Sequence, residues 1–146
     1  MPSLTKSKVY FFFEVQVSLR NRSVLKRFLE DIIKKENRKL EGINYIFCSD
    51  KRLLEINRQF LQHDFYTDII TFELSAKHQP INAEIYISID RVRENARVLR
   101  LPFSHELLRV MIHGILHLCG YSDKSPRQQK NMREKEDHYL KNYSRG

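Results

Sequence analysis

The segment from Leu107 to Leu118 constrains the fold most. Leu107, Leu108, Val110, Met111, Ile112, Ile115, Leu116 and Leu118 make a helix here apolar almost all round, and such a helix belongs inside a core. Pro102 breaks the chain before it and Ser104 is the expected N-cap. Gly120 is the expected stop, because glycine tolerates the left-handed conformation on which helices end. The same helix carries His113 and His117, four residues apart and therefore stacked on one face. The turn at Gly120 brings Asp123 back toward both rings. Two imidazoles and a carboxylate that converge in this way make a three-ligand site for one Zn2+ ion with a fourth position open, the arrangement of catalytic rather than structural zinc. The helix C-terminus adds a modest attraction for the cation. The plainer alternative is that each buried ring hydrogen-bonds a carbonyl or a side chain and holds no metal. His63, His78, His105 and His138 fit no ligand spacing.

The rest of the chain supplies what such a helix packs against. Val9 to Phe13 reads as a strand buried on both faces. Leu25, Phe28, Leu29, Ile32 and Ile33 repeat at helical spacing, with Gly42 as the expected end of that helix, and Ile43 to Cys48 reads as a second strand. Asp50 is the expected cap of a short helix through Leu53, Leu54, Asn57 and Phe60, followed by a loop from Gln62 to Tyr66. Asp68 to Leu74 and Glu84 to Ile89 read as strands joined in a hairpin, and Asp90 is the expected cap of a helix reaching Leu99. Ser125, Pro126 and Gln128 open a last helix with a cap, a first-turn proline and the far end of a capping box.

Strand, helix, strand, helix, strand favours parallel pairing of the first three strands, and the hairpin then adds an antiparallel one. The expected fold is α+β, with a four-stranded mixed sheet of three parallel strands plus one antiparallel. About five helices accompany it, and the metal site lies at the C-terminal end of a buried helix. The 146 residues read as one domain, 1–146, without linker, repeat or low-complexity tract.

Lys and Arg outnumber Asp and Glu by 26 to 18, a formal charge of +8 that suits a polyanionic partner such as nucleic acid. Lys124 and Arg127 follow Asp123 directly, which makes them the basic residues expected to border the metal and contact RNA. The basic helix at residues 22–39 reads as a candidate RNA face or, more plainly, a solvated one. The longest apolar run near the start, Val9 to Phe13, is too short for a membrane span or a signal peptide, so a cytoplasmic protein with no membrane association is expected. Cys48 and Cys119 fall in apolar settings and are expected to be reduced. Cys119 lies across the helix from the two histidines and is a poor fourth ligand.

The stretch His113-Gly-Ile-Leu-His117-Leu-Cys-Gly120-Tyr121 resembles the signature of the YbeY family, the bacterial metal-dependent endoribonucleases of rRNA maturation. Ile56-Asn57-Arg58-Gln-Phe60, Thr67-Asp68-Ile-Ile-Thr-Phe72 and Glu84-Ile85-Tyr-Ile-Ser88 resemble further segments of the family in the same order. The resemblance implies a single-strand-specific RNase acting on ribosomal RNA, chiefly at the 3′ end of the small-subunit rRNA, with a part in ribosome quality control. Its partners would be single-stranded RNA, rRNA and the ribosome, and the chain is expected to act as a monomer. The metal would activate a water or polarise a phosphate oxygen while the ribose 2′-OH attacks.

Four departures from the family pattern stand out. Asp123 replaces the usual third histidine, with Ser122 before it in place of an aspartate. The carboxylate is a harder, charged ligand and bears on metal preference. Leu61 stands where many members carry an arginine, and Arg58 is the nearest substitute as an RNA contact. Tyr66 replaces a proline and Ala83 a glycine. The acid kept on the family's strand falls on Glu84, a candidate catalytic group for proton transfer or for supporting the ligands, or else an exposed acid on an edge strand.

Two other functions fit parts of the pattern. A zinc metalloprotease carries His-Glu-x-x-His, with the glutamate as general base, and here that position is Gly114. A non-catalytic ribosome-assembly factor would bind RNA and use the metal only as a brace.

Overall fold

The computed structural model describes residues 6–61 and 67–145. The elements run β1 (Val9–Phe13), α1 (Arg22–Lys35), β2 (Leu40–Cys48), α2 (Asp50–Phe60), β3 (Ile69–Glu73), β4 (Ile81–Ser88), α3 (Ile89–Leu99), α4 (Phe103–Leu118) and α5 (Pro126–Arg145). The expected loop from Gln62 to Tyr66, with His63, lies outside the described residues.

The sheet has the order β1-β2-β4-β3. β1 pairs with β2 and β2 with β4 in parallel, while β3 runs antiparallel to β4. The sheet is therefore mixed, with three parallel strands and one antiparallel, and the hairpin is present. The odd strand differs from the expectation: it is β3, not the fourth strand. Burial explains the placement. Every second residue of β4 from Ile81 to Ile87 is fully buried, which suits a central strand, whereas β3 is short and half-exposed and lies on the edge.

β1 also differs from its expectation. Val9 is buried, but Tyr10 and Phe12 are about half-exposed, at 46% and 50%. An edge strand with a helix layer on one side buries only alternate residues, and Phe11 packs edge-on against Tyr45 and Phe47 while its neighbours face outward.

The main core lies on the face formed by Val9, Ile43, Tyr45, Phe47, Ile85 and Ile87, beneath α1, α4 and α5. Tyr45 is fully buried and donates its hydroxyl to the Met111 carbonyl at 2.8 Å, tying β2 to the middle of α4. A smaller core of Cys48, Leu53, Ile56 and Ile70 sits on the opposite face beneath α2. Nine residues of α4, from Glu106 to Leu118, are buried, as expected for a helix apolar on nearly all sides.

Several caps shift by one or two residues. Ser49 and Ser88, not Asp50 and Asp90, accept from the backbone N–H groups of Arg52 and Arg91, each at 3.1 Å. The aspartates bind across the two helix starts instead: Asp90 accepts from the Asp50 N–H, and Asp50 accepts from Arg91 Nη2 at 2.8 Å. α4 begins at Phe103 with Pro102 as its cap residue, which places Ser104 inside the first turn. α1 ends on Asn37 at φ 61°, whose N–H bonds the Lys34 carbonyl while that of Arg38 bonds Ile33. Gly42 lies beyond this end, within β2, where the pairing with β4 shifts register. Ser125 and Gln128 form the expected capping box, with reciprocal bonds of 3.1 Å.

Candidate metal centre

α4 ends on Gly120 at φ 109°, in a region that L side chains rarely occupy. The Gly120 N–H bonds the His117 carbonyl and the Tyr121 N–H bonds that of Leu116, each at 3.0 Å. This closure reverses the chain directly beneath the last turn. Asp123 Oδ2 lies 3.4 Å from His113 Nε2, and Asp123 Oδ1 lies 3.6 Å from His117 Nε2. The two rings sit nearly perpendicular with centroids 5.0 Å apart. One ligand atom from each of the three residues falls within 4.8 Å of the others, the only such group of His, Cys, Asp or Glu among the described residues. Two imidazole nitrogens and a carboxylate oxygen at these separations fit a divalent cation placed among them.

The return loop is held from behind. Glu36, just past α1, accepts hydrogen bonds from Tyr121 Oη at 2.8 Å, Lys135 Nζ at 3.2 Å and the Tyr139 hydroxyl. This ties the loop of Asp123 to α1 and α5. Burial raises the Glu36 pKa, but the three donors outweigh it and leave the value below that of an ordinary glutamate. A carboxylate depressed in the folded state stabilises the protein above its unfolded pKa, and that stability is lost as pH falls through the folded value. Glu36→Gln is therefore expected to lower stability at pH 7 by about 1–3 kcal/mol and to flatten the acid limb of stability against pH. Chemical denaturation at a series of pH values checks this, and an acid limb as steep as in the parent protein would contradict it.

The cluster opens on a cleft of about 390 Å³ lined by Asp68, Glu106, Arg109, Arg133 and Glu136 beside His113 and Asp123. Four acids and two arginines thus share one concavity. Glu136 Oε2 lies 2.7 Å from His113 Nδ1, and Glu136 Oε1 accepts from Arg109 Nη1 at 2.9 Å. Burial lowers the His113 pKa, yet the bond to Glu136 and the charges of Glu136, Asp123 and Asp68 lift it above the ordinary value. His117 moves the other way, because burial and the neighbouring charge of His113 exceed the pull of Asp123. Burial raises Asp68 against the attraction of His113, and raises Glu106 against that of Arg109. Burial also pushes the Cys119 thiol up to about 12, and Cys119 is not part of the group of His113, His117 and Asp123. A larger cleft of about 600 Å³ lies at the other half of α4, against Ser104, Leu107 and Met111, and includes none of the three residues.

Lys124 and Arg127 are exposed on the segment that follows Asp123. Arg58 is exposed in the last turn of α2, the helix on the sheet face away from α4. Glu84 is not brought to His113, His117 and Asp123. Its neighbour Ile85 points at Gly114 of α4, and alternation along β4 turns Glu84 to the opposite face, where its carboxylate accepts from the Tyr86 hydroxyl at 3.4 Å. A whole sheet separates Glu84 from His113, so it neither supports the ligands nor reaches a proton there.

Sequence reasoning missed Asp68, Glu106, Arg109 and Glu136 at this site. The signal for three of them was their position: Glu106 and Arg109 sit on a helix otherwise apolar, and Glu136 falls in step with Met132, Tyr139 and Leu140 on the buried stripe of α5. A charged group on a buried stripe needs a partner: Glu136 pairs with Arg109 and His113, and Arg109 also with Asp137, while the buried Glu106 Oε1 has no hydrogen-bond partner among the described residues.

The sequence profile of the family described as endoribonuclease YbeY matches residues 13–144. The endoribonuclease YbeY of Cytophaga hutchinsonii is 48% identical over 134 residues, spanning 90% of this chain and 94% of that protein. That of Flavobacterium psychrophilum is also 48% identical, over 91% and 94% of the two chains. A solution structure of a Thermotoga maritima protein superposes with a TM-score of 0.64 at 36% identity, covering 90% of this chain and 86% of the other. The chain belongs to the YbeY endoribonuclease family.

Proposed function

We propose that this protein is a metal-dependent endoribonuclease that cleaves single-stranded RNA during rRNA maturation, at the 3′ end of the small-subunit rRNA, and serves ribosome quality control. The observation that carries this reading is the convergence of His113, His117 and Asp123 at the mouth of a polar cleft, in a chain of an endoribonuclease family. The three side chains would hold one zinc ion, which supplies a Lewis acid for a phosphate oxygen and lowers the pKa of a coordinated water. The protein's own groups do the rest. Asp123 contributes a negative charge beside two imidazoles, and Arg133 at the cleft rim offers a cation to the RNA backbone. Lys124 and Arg127 extend that cationic border on the Asp123 side, and Arg58 adds a contact at the end of α2. No helix among the described residues is long and apolar enough to cross a membrane. We assign the protein to the cytoplasm, as a single-domain monomer that works on rRNA at the ribosome.

Gly114 argues against peptide hydrolysis. A Cβ at this position would lie 3.0 Å from Ile69 Cδ1 and 3.2 Å from Ile85, so residue 114 faces the sheet and not the ligands. No general base can act from there.

The test is an endonuclease assay with matched single-stranded and fully paired RNAs. Cleavage of the single-stranded RNA alone is expected, stopped by a chelator and restored by zinc. Equal cleavage of the duplex, or activity that persists in chelator, would contradict the reading.

A further inference from the structure

We infer that Glu136 and Arg109 are positioning residues that set the tautomer of His113, leaving its Nε2 as the free nitrogen directed at the metal. The inference rests on reading His113, His117 and Asp123 as ligands. A neutral imidazole carries one proton, and the nitrogen that holds it cannot ligate. Glu136 is 5% exposed, and its Oε2 stands 2.7 Å from His113 Nδ1, a separation at which a carboxylate accepts a proton-bearing nitrogen. The proton is thereby kept on Nδ1, and Nε2, the atom 3.4 Å from Asp123, presents a lone pair.

Arg109 fixes the sense of that bond. Its Nη1 donates to Glu136 Oε1 at 2.9 Å and its Nη2 to Asp137 Oδ1 at 2.7 Å. A guanidinium donates only, so whatever occupies position 136 must turn an acceptor toward Arg109. A carboxylate has an acceptor for each neighbour, whereas an amide does not. In Glu136→Gln the amide oxygen goes to Arg109 and the NH2 group turns to Nδ1 as a donor. The ring proton then moves to Nε2, and the metal-directed nitrogen is blocked in a side chain of nearly unchanged shape. Replacing Arg109 as well frees the amide to rotate and accept from Nδ1 again.

The experiment uses the full-length protein, zinc and a chromophoric chelator in competition, together with 15N NMR of the His113 ring in the metal-free protein at alkaline pH. The parent protein is expected to show the Nδ1–H tautomer. Glu136→Gln is expected to show Nε2–H and to bind zinc about 100-fold more weakly, Glu136→Ala about 10-fold. The double variant Arg109→Met with Glu136→Gln is expected to recover most of that loss, which a purely structural role of either residue does not predict. A parent ring with its proton on Nε2 overturns the inference, as does a glutamine variant with unchanged zinc affinity. Should the glutamine variant fail to fold, the parent ring and the alanine variant still decide. Failure of the metal reading is separate: the parent protein would show Nδ1–H and bind no zinc.

Discussion

Asp123→Ala is expected to lower RNA cleavage by on the order of 10³-fold or more, and His117→Ala to do the same. A bound cation stabilises charge in phosphoryl transfer by several kcal/mol, and a loss of about 4 kcal/mol corresponds to about 10³ in rate. Removing Asp123 takes away the only carboxylate of the set and leaves two imidazoles, one of which has its pKa lowered by burial and by the charge of the other. The fold should be nearly indifferent. The Asp123 side chain is 40% exposed and contacts the two rings, while the loop that carries it is held by Tyr121 on Glu36 and by the closure at Gly120. The metal-free variant is therefore expected to melt within about 0.5 kcal/mol of the metal-free parent. Activity and stability then separate. In an assembly factor braced by its metal they would fall together, with RNA binding kept, so parallel cleavage assays and denaturation curves decide between enzyme and brace.

Gly114→Leu is expected to destabilise the protein by about 3 kcal/mol or more, through overpacking rather than any loss of helix propensity. Even a single added Cβ would come within 3.0–3.2 Å of Ile69 and Ile85, and a leucine needs room for three further carbons against two strands. Ile85 belongs to the central strand and is fully buried, so it has nowhere to retreat. The register of α4 on the sheet would shift, and with it the placement of His113 and His117 one and three residues away. Denaturation of the purified variant tests this, and a midpoint equal to the parent's would show that α4 tolerates displacement from the sheet.

These two positions also show why much of the site is legible in the sequence. The histidine pair depends on helical spacing, the helix end on one glycine, and the approach of Asp123 on a short turn, all local features. The apolar circumference of α4 announced its burial for the same reason. What escaped was non-local. Which strand runs antiparallel depends on β4 inserting beside β2, some forty residues distant in the chain; the even burial along β4 suits that central place but does not by itself select it. Glu84 was a candidate because the family's strand keeps an acid there, but its face is set by a pleat whose phase only the register reveals. The caps at Ser49 and Ser88 were masked by Asp50 and Asp90 close by, equally good capping residues that the structure uses to join two helix starts. Glu136 meets His113 and Arg109 only because α5 packs along α4. Their charge on a buried stripe signalled a partner without naming it.

Binding of a divalent metal ion by His113, His117 and Asp123 is what the proposed RNase activity depends on. Its most direct test is elemental analysis of the purified protein, stripped with chelator and reconstituted with zinc, beside Asp123→Ala and His117→Ala treated identically. One equivalent of metal per chain in the parent and a small fraction of that in each variant is the predicted result. A parent protein that retains no metal after reconstitution, or variants that retain a full equivalent, would contradict it.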